Sequence, residues 1–172
     1  KIAPFLDKEE TTFVVLIDNL RYDQWKIIQP IVAEYFKIEQ EEVYSSILPT
    51  ATQYARNSFF AGLMPSEIEK RFPKLWMNDE EEGGKNLHEE ELMAEHLKRL
   101  GKNVKYSYNK ITNHAASKKL SENISNLMQN KLNVIVYNFV DMLSHARTEM
   151  EVFRELADDE KAYRSITLSW FE

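Results

Sequence analysis

Two apolar segments, each closed by an aspartate, constrain the fold more than any other feature of this chain. Phe13-Val14-Val15-Leu16-Ile17-Asp18 lies near the start. Val134-Ile135-Val136-Tyr137-Asn138-Phe139-Val140-Asp141 lies near the end, with His145 four residues further on. Strands this apolar usually belong to a parallel sheet covered on both faces. Ligands in such sheets bind outside the carboxyl ends of the strands. Two aspartates and a histidine can therefore converge on one rim, which is how an oxygen- and nitrogen-rich metal site is assembled from distant sequence.

The stretches around and between these segments alternate strand and helix patterns, so the chain is expected to be an α/β domain with a mostly parallel sheet flanked by helices. After strand 13–17, Trp25, Ile28 and Val32 are spaced for one helix face. A short strand is expected around Val43–Leu48, broken by Pro49. Thr50-Ala51-Thr52-Gln53 reads as a capping box, with Thr50 as N-cap and Gln53 at the third helical position. Ala55, Phe59 and Leu63 share a face of that helix, and Gly62 with Pro65 marks its end. Residues 65–88 hold Pro65, Pro73, the acidic run Asp79–Glu82 and Gly83-Gly84, and are expected to form an excursion or lid-like loop. Further on come a helix over Glu89–Leu100 stopped by Gly101, a strand over Val104–Tyr108, and a helix capped by Ser117 that carries Leu120, Ile124 and Leu127. Strand 134–140 and helical sequence over Met150–Ala157 and Lys161–Phe171 complete the order. The chain starts with Lys1 and closes on a helix where a doubly wound domain would continue into a strand. It reads as a piece of a longer protein.

Composition narrows the function. A chain of 172 residues is long enough for one domain with a real core. The lack of cysteine excludes a disulfide scaffold and thiolate zinc sites, so any metal must use Asp, Glu, His or hydroxyl ligands. It is compatible with the cytoplasm, the expected location. No run of about 18 apolar residues exists, so no membrane span is expected. The net charge of −6 argues against wrapping a long nucleic acid. It leaves room for a short phosphate ester held by metal ions, whose charge dominates locally.

Asp18 has two readings, a metal ligand or simply the N-cap of the next helix. Arg21 and Asp23 are most simply surface or pairing residues. Thr52 lies in the first turn of a helix, where free N–H groups and partial positive charge attract phosphate. A hydroxyl there can attack phosphorus if a divalent metal lowers its pKa. Both threonines can also be plain helix-start residues, a role that suits Thr50 better than Thr52. Asp141 and His145 form Asp-x-x-x-His, which can reach one ion from a strand end, or can be a helix cap beside a surface histidine. His88, His96 and His114 are weaker candidates without zinc-protease spacing, and the glutamate-rich face around His88 and His96 reads as solvated helix. Asp79–Glu82 lacks the spaced ligands of a calcium loop. Asn86, after Gly83-Gly84-Lys85, is a candidate phosphate contact, although a Gly-rich turn is the simpler reading.

Taken in order, the Asp-ended strand, the element Pro49-Thr50-Ala51-Thr52, the spaced pair Gly62 and Pro65, and the later Asp141 and His145 resemble the alkaline phosphatase superfamily and its nucleotide pyrophosphatase/phosphodiesterase branch. The wording is closer still to the PglZ domain of PorX-like response regulators, which are linked to type IX secretion and gliding motility. This likeness rests on Ile17–Trp25, Leu48–Arg56, Glu82–Asn86, Tyr137–His145 and Lys161–Ser165.

The resemblance implies an alkaline phosphatase-like core with two metal ions, normally zinc. Asp18 and the nucleophile Thr52 would serve one ion, and Asp141 and His145 the other. It also implies an Asp-His pair on a later strand and a further histidine, neither of which occurs before Glu172, so the ligand set and the domain are expected to be incomplete at the C-terminus. The receiver and helical segments of PorX-like proteins would lie upstream. The implied activity is phosphodiester hydrolysis on phosphate esters or short or cyclic oligonucleotides, with secretion-system or transcription partners, and a homodimer is compatible with it. The rival readings are a non-catalytic signalling module with a structural or regulatory zinc, and a degenerate scaffold.

Overall fold

A computed structural model describes residues 2–76, 86–156 and 159–171. They form a three-stranded sheet of β1 (Thr12–Ile17), β2 (Tyr106–Ile111) and β3 (Leu132–Tyr137), in the order β1-β3-β2. The helices are α1 (Tyr22–Tyr35), α2 (Thr52–Ala61), α3 (Pro65–Arg71), α4 (Glu89–Arg99), α5 (His114–Glu122), α6 (Ile124–Leu127), α7 (Phe139–Glu149), α8 (Glu151–Leu156) and α9 (Glu160–Phe171). The sheet is parallel, as expected. The Thr12 and Asp18 N–H groups donate to the carbonyls of Lys131 and Tyr137, and those of Leu132 and Asn138 to the carbonyls of Lys105 and Ile111. Each pair keeps a constant offset along the two strands, the mark of parallel pairing. Among the described residues no helix is long and apolar enough to cross a membrane.

The chain divides into two compact units. One comprises 1–12, 43–106 and 130–132, and the other 13–42, 107–129 and 133–172. The second unit holds the sheet apart from the opening residues of its strands. β3 is central and buried on both faces, as its composition requires. β1 is an edge strand and leaves Phe13 and Val15 exposed, so the expectation of two covered faces fails there. Ile135 packs with Ile111 and Leu120, and Leu143 with Tyr163. The buried Asn133 on β3 accepts from Ser107 Oγ at 2.6 Å and donates to the Leu127 carbonyl at 2.9 Å. A polar side chain is tolerated there because both ends are satisfied.

Several expected elements move. Val43–Leu48 is not a strand; Val43, Tyr44 and Leu48 are exposed, and the segment pairs with no strand among the described residues. β-propensity without a neighbouring ladder does not make a strand. β2 starts two residues later than expected. Strand 134–140 ends at Tyr137, and Phe139 and Val140 open α7. The helix expected from Ser117 begins at His114, because the Asn113 side chain caps it by accepting from the Ala116 N–H at 2.9 Å. It also breaks at Asn123, so Leu120 and Ile124 fall on different helices. The stretch expected as a loop from residue 65 opens with α3, whose Ile68 is fully buried. Met77–Lys85, with the acidic run and the paired glycines, lies outside the described residues.

In the first unit α4 grips the C-terminal end of α2. The His96 Nδ1–H donates to the Phe60 carbonyl at 3.0 Å, and Arg99 bonds to the Ala61 carbonyl. Gly62 ends α2 at φ +59°, and a Cβ there would sit 2.3 Å from His96 Cε1. His96 is thus half-buried against a glycine and not on a solvated face. Gly62→Ala is expected to cost about 2–3 kcal/mol, combining the left-handed backbone with a displaced His96 hydrogen bond. Repeating it in a His96→Ala background should recover the steric part in a double-mutant cycle; additive costs would refute the close approach.

Burial pushes the His96 imidazole below its ordinary 6.5, against a smaller opposing effect of the bond to Phe60. The unfolded chain therefore takes up this proton more readily. The resulting stability is fully present above about pH 6.5 and is lost as pH falls through the depressed folded value. Urea unfolding of wild type and His96→Gln between pH 7.5 and 5.5 checks this: the wild type should lose more. Parallel losses would sink it.

Candidate functional site

The carboxyl ends of the three strands carry the first candidate. Asp18 follows β1 directly, with its N–H on the Tyr137 carbonyl at 2.9 Å, and is 9% exposed. Asn19 takes a left-handed turn at φ 59°. The N-cap of α1 is Arg21, so Asp18 is not spent on capping that helix. A short polar chain fixes this turn. The Gln24 side-chain oxygen accepts the Arg21 N–H at 2.9 Å, and Gln24 Nε2 donates to Thr167 Oγ1 at 2.9 Å. Thr167 Oγ1 in turn donates to the Tyr163 carbonyl at 3.0 Å. Gln24 and Thr167 are buried, so α9 holds the turn that follows Asp18.

Arg21 and Asp23 pair, as expected of them. Arg21 Nε and Nη2 lie 2.9 and 2.7 Å from the two Asp23 oxygens. Arg21 also bonds Glu160 and lies over the Tyr163 ring at 5.4 Å, and Arg164 reaches Asp23 at 3.1 Å. The Arg21 hydrogen bonds, with help from Arg164, hold the Asp23 carboxyl well below the usual carboxylate range.

Asp141 is not at a strand end. It is the third residue of α7, and His145 lies one turn on. His145 Nε2 is 3.8 Å from Asp141 Oδ1, and its Nδ1 is 3.5 Å from Glu149 Oε1. Two donors about 2.0–2.2 Å from a tetrahedral zinc stand roughly 3.3–3.6 Å apart, so Asp141 and His145 fit as two ligands of one ion with a small side-chain adjustment. Among the described residues no group of three or more His, Asp or Glu side chains is placed to hold a metal. The local fit is to half of a site.

Thr52 belongs to the first unit, whereas Asp18, Asp141 and His145 belong to the second. Thr52 is the first residue of α2, and the expected capping box is absent. Ala51 is the N-cap, and it makes no side-chain cap hydrogen bond. Thr50 is exposed and lies just outside the helix. The Leu48–Pro49 peptide is cis. Asn86 is a half-buried turn residue three positions before α4, while its neighbours Gly83–Lys85 fall outside the described residues. His88 lies 3.1 Å from Glu91, and His114 starts α5 at the surface; neither joins the candidate residues.

The buried face of α2 is not Ala55, Phe59 and Leu63. It is Gln53, Arg56, Asn57 and Phe60, with Ala61. Arg56 Nε and Nη2 meet Glu89 Oε1 and Oε2 at 2.7 and 2.5 Å, and these side chains are 5% and 1% exposed. Reading the residues for chemistry missed this pair. The available signal was a charged residue at helical spacing from Gln53 and Phe60, on a face that has to be buried.

No curated protein matches the chain. A family model described as the BREX system PglZ alkaline phosphatase-like domain matches residues 1–168. That span takes in both units and every candidate residue, and the parallel sheet flanked by helices agrees with an alkaline phosphatase-like fold. The chain belongs to the PglZ alkaline phosphatase-like domain family.

Proposed function

We propose that the chain is the core of a phosphoesterase-type hydrolase acting on phosphodiesters through Thr52. The supporting observation is the bond from the Asp18 N–H to the Tyr137 carbonyl. It sets Asp18 at the carboxyl end of a parallel sheet, beside the strand that leads into the helix of Asp141 and His145. This is where α/β sheets collect ligand-binding residues.

Thr52 Oγ1 attacks phosphorus in line with the leaving oxygen. The Oγ1–P bond forms, the P–O bond to the leaving group breaks, and the hydroxyl proton passes to solvent while the leaving oxygen takes one up. Water then attacks phosphorus and releases Thr52. The N–H groups in the first turn of α2 favour the non-bridging oxygens. Asp18 would serve one zinc together with Thr52, and Asp141 and His145 would hold a second. Bound there, the ions supply positive charge that favours the deprotonated hydroxyl and offsets charge on the leaving oxygen.

The finer placement is the output domain of a cytoplasmic PorX-like response regulator, acting on short or cyclic oligonucleotides. It rests on the wording of Ile17–Trp25, Leu48–Arg56 and Tyr137–His145. The same likeness favours a second reading, a signalling module of type IX secretion in which zinc is structural or regulatory. The full-length protein tests both, with turnover of an activated phosphodiester and zinc content near two per domain as readouts. Thr52→Val should abolish turnover, and normal turnover would remove Thr52 as nucleophile. A zinc-dependent partner complex without any wild-type turnover would favour the signalling module.

A further inference from the structure

We infer that the buried Arg56–Glu89 pair is a positioning device for Thr52, an inference that rests on the nucleophile reading above. Arg56 lies one turn after Thr52 on α2, and Glu89 is the first residue of α4. The contact is a fork: both carboxylate oxygens are engaged by guanidinium nitrogens at 2.7 and 2.5 Å, with almost no exposure on either side.

Such a pair has one good geometry. Sliding α2 by one residue moves it about 1.5 Å along its axis and turns the Arg56 side chain by about 100°. Either motion breaks the fork and pulls two buried opposite charges apart, which is strongly unfavourable. An apolar seam between the helices would resist separation but would tolerate small slides, because burial is non-directional. The polar seam therefore adds register to adhesion.

The far end of α2 is held in the same way. His96 and Arg99, also on α4, bond to the carbonyls of Phe60 and Ala61. One helix thus fixes α2 both one turn from Thr52 and at its C-terminus. In-line attack needs the nucleophile within about 0.5 Å of its productive place, and a displacement of about 1 Å costs on the order of a hundredfold in rate. Stability alone does not call for the pair, since apolar residues of matched volume commonly replace buried ion pairs without loss.

The test is steady-state kinetics on the full-length protein with an activated phosphodiester. Arg56→Met combined with Glu89→Leu is expected to fold, with a melting temperature at or above wild type, and to lower kcat about 10- to 100-fold. KM should stay within about twofold, because both side chains are buried. Arg56→Lys, which keeps the charge but loses the fork, serves if the double variant does not fold; it should lower kcat by about tenfold at unchanged KM. A folded double variant, or a folded Arg56→Lys where the double variant fails to fold, that keeps wild-type kcat while Thr52→Val is inactive overturns the positioning role and leaves the nucleophile in place. Normal turnover by Thr52→Val overturns both.

Discussion

Thr52→Val is expected to lower turnover of an activated phosphodiester by at least about a thousandfold, with circular dichroism and melting temperature close to wild type. Valine matches threonine in shape and branching, so the first turn of α2 keeps its packing. Only the hydroxyl is lost. Among the described residues that hydroxyl has no hydrogen-bond partner, and no side chain caps the helix it opens. The fold therefore has little use for the oxygen, whereas the proposed chemistry cannot proceed without it. Thr52→Ser retains a nucleophile and should keep a measurable share of the rate. If Thr52→Val and Thr52→Ser show equal turnover, the oxygen is not the attacking atom. If Thr52→Val unfolds, the hydroxyl has a structural role and the assignment loses its support.

The architecture was legible wherever local pattern and tertiary demand agree. β1 and β3 are apolar runs of strand length, and α4 stops where Gly101 takes φ +67°. Asp18 was legible too, because a strand end is a local event. The position of Asp141 was not. The apolar run continues to Val140, but β2, the neighbour of β3, ends at Ile111, and the last rung of that ladder is the Asn138 N–H on the Ile111 carbonyl. Past that rung the chain turns, and Phe139 and Val140 open α7. Where β2 ends is not written in the residues around 140.

The same division explains the helix starts. Thr50 and Ser117 have capping chemistry, but Asn113 reaches the Ala116 N–H and the helix begins earlier, while α2 begins with no side-chain cap at all. Capping propensity ranks candidates and does not choose among neighbours. The Arg56–Glu89 contact is less legible still, since 33 residues separate its partners. Each alone looks like an ordinary surface charge on a helix. Only the packing of α2 on α4 reveals that both are enclosed.

That enclosure gives the largest expected effect on stability. Glu89→Ala should destabilise the protein by about 3–5 kcal/mol, because it takes the Glu89 carboxylate away from the buried Arg56 guanidinium. The exposed Arg21–Asp23 pair has a similar separation, 2.7 Å, yet Asp23→Ala should have a far smaller effect. Pairs open to water are typically worth about 0–1 kcal/mol, since solvent replaces the lost partner. Geometry alone would rank the pairs together, and burial separates them. Urea unfolding of both single variants measures the difference, and in thermal unfolding Glu89→Ala should melt roughly 10 °C below wild type. Removing the guanidinium as well, in Arg56→Met with Glu89→Leu, should bring the melting temperature back to wild type or above, because the cost lies in a buried charge that has lost Glu89. A Glu89→Ala variant no less stable than Asp23→Ala would mean that water reaches Arg56, and the seam between α2 and α4 would then be too open to fix the register of α2.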